Sequence, residues 1–108
     1  RKNKKMSIKT QNVSNSKVDL EDEIKEPPMC KVILLNDDFT TKEFVVEILI
    51  KIFNKSSLEA NELMEKVHKS GSAIVGIYSL DIANSLAKLT IKTARANGFP
   101  LRCVVEEE

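Results

Sequence analysis

Hydrophobic order is missing from the first 28 residues of the chain and regular from residue 30 onward. Cys30 to Leu35 is an apolar run broken only by Lys31 and rich in β-branched residues, which predicts a strand with little exposure. Asn36, Asp37 and Asp38 stop it. The four residues Thr40-Thr41-Lys42-Glu43 have the form of a capping box, with Thr40 as N-cap and Glu43 reaching back. Phe44, Val45, Ile48, Leu49 and Ile52 then recur at helical spacing, predicting a helix over 41–54 with one apolar face. Ser56-Ser57-Leu58-Glu59 is a second capping box, and Ala60, Leu63, Met64 and Val67 carry the period to a left-handed stop at Gly71. Residues 72–78 form a second β-branched run, within which Gly76 weakens the strand or lets another backbone approach. Ser79 and Asp81 open a third, alanine-rich helix over about 80–97, ended by Gly98 and Pro100. Leu101 to Glu106 closes the chain as a third strand.

The order is therefore β-α-α-β-α-β. Three strands need a helical layer to bury one face. The expected fold is α+β: a single domain with a three-stranded, mostly antiparallel sheet packed on three helices. Strand pairing stays open on physics alone, because a two-helix excursion separates the first two strands.

The tail differs in kind. Its first 17 residues carry six basic side chains and no acid, and residues 18–26 are mainly acidic. Such a segment buries too little to offset its ordering entropy, so residues 1–28 are expected to be a flexible N-terminal extension joined to a domain over 29–108. Pro27-Pro28 stiffens the junction. Over the whole chain 17 basic residues nearly balance 16 acidic ones, which argues against a nucleic-acid-binding domain. No apolar run is long enough to span a membrane. Cys30 and Cys103 lie in apolar strings without a partner spacing, so two buried thiols are expected rather than a disulfide.

Little here promises catalysis. His68 is the one histidine and shares a helix face with Met64 and Val67. A histidine beside an apolar stripe is more often an edge residue than a ligand, and alone it cannot hold zinc. Asn36-Asp37-Asp38 could cap, bind a cation or sit in solvent, since Asn and Asp are default turn residues. No nucleophile, phosphate-loop or dinucleotide motif is present. No enzyme, cofactor or metal is expected.

Three strings together, PPMCKVILLNDDFTTKEFVVEIL, LMEKVHKSGSAIVGIY and ARANGFPLRCVVE, resemble the ClpS family, adaptors of the ATP-dependent Clp protease, over about residues 27–106. The resemblance implies a reader of N-terminal Phe, Tyr, Trp or Leu that passes its substrate to a AAA+ unfoldase of the ClpA or ClpC type, through that partner's N-terminal domain. Asn36, Asp37, Asp38 and His68 would receive the substrate's α-ammonium, with Asp38 shaping the turn or adding field. Leu34, Leu35, Thr40, Lys42, Val45, Met64, Val67 and Leu101 would form the apolar pocket. Asp81 and Leu86 would face the unfoldase. Two positions depart from the common bacterial pattern: Lys42 stands where Met is frequent, and Leu86 where Lys is frequent. A monomer is expected, in a bacterial cytoplasm or a plastid stroma (chloroplast or apicoplast). The alternative is a module that docks on the unfoldase without binding a degron.

Overall fold

A computed structural model describes residues 27–108; the flexible extension expected over 1–28 lies almost wholly outside them. The elements run β1 (Met29–Leu35), α1 (Lys42–Lys51), α2 (Ser57–Ser70), β2 (Ser72–Ser79), α3 (Leu80–Ala96) and β3 (Arg102–Glu107). The order β-α-α-β-α-β is the expected one, and the sheet is antiparallel throughout. β1 takes the centre, in the order β2-β1-β3.

The apolar run of β1 resolves into an alternation. Cys30, Val32 and Leu34 are fully buried, while Lys31, Ile33 and Leu35 on the other face are only half-buried. Successive strand side chains point to opposite faces, so one face of the sheet joins the core with Ala73, Val75 and Cys103. The helices complete that core with Phe44, Val45, Ile48, Leu49, Ala60, Met64, Val67, Ala83, Ala87 and Ala94. Both cysteines are buried free thiols, and burial pushes the Cys103 thiol up to about 11, well away from reactivity. Among the described residues Thr90 is the buried polar exception, its hydroxyl without a partner there on the core side of α3.

Three details of the sequence reading are corrected. α1 is capped by Thr41, whose Oγ1 accepts the Phe44 amide at 3.1 Å, and not by Thr40. It also stops at Lys51 rather than 54, because Asn54 turns left-handed (φ 59°) and the Lys55 amide closes back onto the Leu49 carbonyl. What would lie closest to a Cβ at Gly76 is a side chain rather than a backbone. The ring of Tyr78 lies there, its Oη 2.7 Å from where a Cβ would sit. The Ser56–Glu59 box forms in full.

Two tethers position the polar end of the molecule. Gly71 ends α2 in the left-handed region (φ 92°), where glycine avoids the steric penalty of a Cβ. Its carbonyl accepts the Asn36 amide at 2.9 Å, tying the end of α2 to the end of β1. On the far side, Arg95 Nη1 donates to the carbonyls of Phe99 (3.0 Å) and Leu101 (2.7 Å), and the Phe99 ring meets Phe44 at 4.7 Å.

Candidate functional site

Between the β1–α1 loop, the start of α1 and the last turns of α2 lies a cavity of about 490 Å³. It begins with the loop. Asp37 Oδ1 accepts the amides of Phe39 (2.8 Å) and Thr40 (2.7 Å), and Oδ2 accepts the Thr40 hydroxyl at 2.7 Å. The loop is thus wound around one carboxylate. The Thr40 hydroxyl and amide are both turned toward Asp37, and Thr41 stands at the cap, its Oγ1 accepting the Phe44 amide. Asp37, not Asp38 as expected, is the residue that shapes the turn.

The same bonds fix its charge. Partial burial acts to raise the Asp37 pKa, but the Thr40 hydroxyl, the two amides and the charge of Arg102 outweigh it and hold the carboxyl below its ordinary value. A carboxylate has about four lone-pair sites, and three are used within the loop, so Oδ2 retains one. The side chains of Asn36, Asp38 and His68 also line the cavity. They are exposed and make no side-chain hydrogen bond among the described residues. Asn36 is held by its Gly71 tether, and His68 sits in the last turn of α2, three residues before that glycine.

Val45, Met64 and Val67 supply the apolar wall, all buried and all on helices. The helical spacing of 64, 67 and 68 puts wall and imidazole on one face, which is why a single helix contributes both. Thr40 and Lys42 are lining residues too. Leu34 and Leu101, expected in the pocket, are instead 0% and 1% exposed members of the core, and Leu35 lies half-buried on the strand's other face; none of the three lines the cavity. Asp81 and Leu86 are elsewhere, on α3. The sequence reading missed Phe39, Thr41 and Glu43, which also line the cavity. Phe39 had a visible signal, a large aromatic residue inside a polar turn, and it is 75% exposed. No group of His, Cys, Asp and Glu able to hold a metal ion occurs among the described residues.

This arrangement suits a ligand with a cationic donor at one end and an apolar group at the other. Residues 25–104 match the family described as ATP-dependent Clp protease adaptor protein ClpS. The chain belongs to the ClpS family. It is similar to the ATP-dependent Clp protease adapter protein ClpS of Treponema denticola, 56% identical over 82 residues, covering 76% of this chain and 81% of that one. It is similar also to the ClpS of Acetivibrio thermocellus, 50% identical over 86 residues, covering 80% and 87%. With the ClpS of Campylobacter jejuni subsp. doylei the identity is 46% over 101 residues, 94% of this chain and 99% of that one. That span exceeds what residues 29–108 can supply, so the likeness reaches into the tail, beyond the 27–106 seen in the sequence. Among solved structures, Agrobacterium tumefaciens ClpS2 bound to L-phenylalaninamide superposes with a TM-score of 0.75 at 38% identity, covering 77% of this chain and 100% of that one. As a ClpS protein the chain is an adaptor of the ATP-dependent Clp protease and not an enzyme.

Proposed function

We propose that this ClpS protein recognises substrates by an N-terminal Phe, Tyr, Trp or Leu and delivers them to a ClpA- or ClpC-type unfoldase. One observation carries the reading: a single cavity unites the acceptors Asn36, Asp37, Asp38 and His68 with the apolar wall of Val45, Met64 and Val67. L-Phenylalaninamide, the ligand of the similar ClpS2, has the two ends this cavity suits: a free α-ammonium and an apolar ring. Its amide stands in for the first peptide bond of a substrate.

The two ends divide the work. Burying a Phe or Leu side chain is worth about 1.5–3 kcal/mol. Leaving a desolvated charged acceptor without its partner costs about 2–5 kcal/mol. The ammonium therefore decides whether a peptide binds, and the wall ranks the residues that do. An internal Phe, lacking the ammonium, fails even when exposed. Methionine suits a wall that must fit differently shaped side chains.

Docking on the N-terminal domain of the unfoldase falls to the start of α3. There Asp81 is exposed, and Ile82, Leu86 and Leu89 follow one another at helical spacing, with Ile82 53% and Leu89 48% exposed. This stripe stands apart from the cavity and favours a second reading, docking without degron binding. Fluorescence anisotropy with labelled ten-residue peptides separates the two. Binding of a free N-terminal Phe, and none of its acetylated twin, is the result expected. Equal binding of the two overturns the degron reading and leaves the docking one.

A further inference from the structure

We propose that Lys42 makes this site tolerant of an acidic residue at the second position of the substrate, an inference that rests on the N-terminal reading above. A second cavity, of about 340 Å³, adjoins the first and is lined by Lys42, Glu43, Val46, Asn61 and Met64. Three of those residues, Lys42, Glu43 and Met64, line both cavities. When a substrate's first residue fills the larger cavity, its second Cα lies about 3.8 Å further on. In the proposed pose the second side chain leaves by the rim of Lys42, Glu43 and Met64, which both spaces share.

The charges at that rim are unequal. Asp37, Asp38 and Glu43 line the first cavity and repel an acidic neighbour of the bound residue. Among the described residues Lys42 is the one fixed cation lining either space. It is exposed at the first turn of α1 and makes no ion pair or side-chain hydrogen bond among the described residues. Its stem can lie on the apolar surface of Met64 and Val46 with the ammonium in water. The positive end of α1 adds to the same sign. Lys42 thus offsets the carboxylates at the place where the second side chain leaves the site.

The test is anisotropy with peptides that begin Phe-Ala, Phe-Asp or Phe-Lys and are otherwise identical, each with an acetylated control. They are bound to the wild type, Lys42→Met and Lys42→Glu. An exposed charge pair of this kind predicts changes of about two- to five-fold. Lys42→Met should weaken Phe-Asp by that factor relative to Phe-Ala and strengthen Phe-Lys, with Lys42→Glu going further in the same direction. In 1 M salt, where screening acts within about 3 Å, the difference should vanish. If all three free-amine peptides shift in parallel while the acetylated controls still fail, the Lys42 inference is overturned and the N-terminal reading stands. If free and acetylated peptides bind alike, both fall.

Discussion

α1 and α2 open with nearly the same four residues, Thr40-Thr41-Lys42-Glu43 and Ser56-Ser57-Leu58-Glu59, and they start differently. At α2 the hydroxyl of Ser56 accepts the Glu59 amide at 3.1 Å and the Glu59 carboxylate accepts the Ser56 amide at 3.2 Å. The Ser56 hydroxyl also donates to Glu59 at 3.2 Å, so its proton and its lone pair both serve the cap, and the local rule holds. At α1 the Thr40 hydroxyl instead donates outward to Asp37 at 2.7 Å, and the cap is one residue later, on Thr41. The start that breaks the rule is the one beside the cavity. Local capping rules give way here beside a carboxylate that gathers the loop's amides and hydroxyl.

The sharpest way to break this contrast is Asp37→Ala. It removes three hydrogen bonds from the loop and the charge proposed to meet the ammonium. Peptide affinity should fall at least about 30-fold, from the 2–5 kcal/mol cost of an unpaired charged ligand group. Amide chemical shifts should meanwhile report Thr40 released toward the cap. An affinity within about three-fold of wild type would separate the loop from the site.

Gly71→Ala acts on the tether between the two regions. A Cβ in the left-handed region costs about 1–2 kcal/mol, read as a lower urea midpoint. Because Gly71 holds Asn36 as well, affinity should decline alongside stability. Ser56→Ala sharpens the contrast from the other side. It should cost about 1 kcal/mol of stability and leave peptide affinity unchanged, since that cap is remote from the cavity. Thr40→Val should show the reverse pattern, with the larger change in affinity.

The smallest effect is in acid. Both starts hold a carboxyl below its ordinary value: Glu59 through bonds from the Ser56 amide and hydroxyl, Asp37 because its bonds outweigh partial burial. A depressed folded pKa contributes stability that is present above the unfolded value and is lost as pH falls through the folded one. Carboxyl carbon titrations by NMR should place both groups low in the wild type. Ser56→Ala should raise Glu59 part of the way, since the amide bond remains, and Thr40→Val should raise Asp37, each without moving the other. Movement of both groups in either variant would mean that the two starts are coupled.

Much of this was legible in the sequence. Apolar periodicity located all six elements, and the alanines and β-branched runs separated helix from strand. The central place of β1 was not legible, because antiparallel pairing to both β2 and β3 depends on contacts distant in sequence. Nor was the fate of Leu34, Leu35 and Leu101. An apolar residue beside a motif can face the core, the cavity or the other side of the sheet, and only register decides. Met64, Val67 and His68 could be grouped in advance because helical spacing ties them to one face. Phe39 was overlooked because Asn and Asp dominate any reading of that turn.

The account turns on one cavity holding both ends of the ligand, and a two-probe NMR titration tests that most directly. L-Phenylalaninamide and its N-acetyl derivative would be added separately to isotopically labelled protein. The account predicts nuclear Overhauser contacts from the ring to the methyls of Val45, Met64 and Val67, together with shifts at Asn36, Asp37 and His68. It predicts neither for the acetylated compound. Ring contacts without shifts at Asn36, Asp37 and His68, or the same response to both compounds, would contradict it.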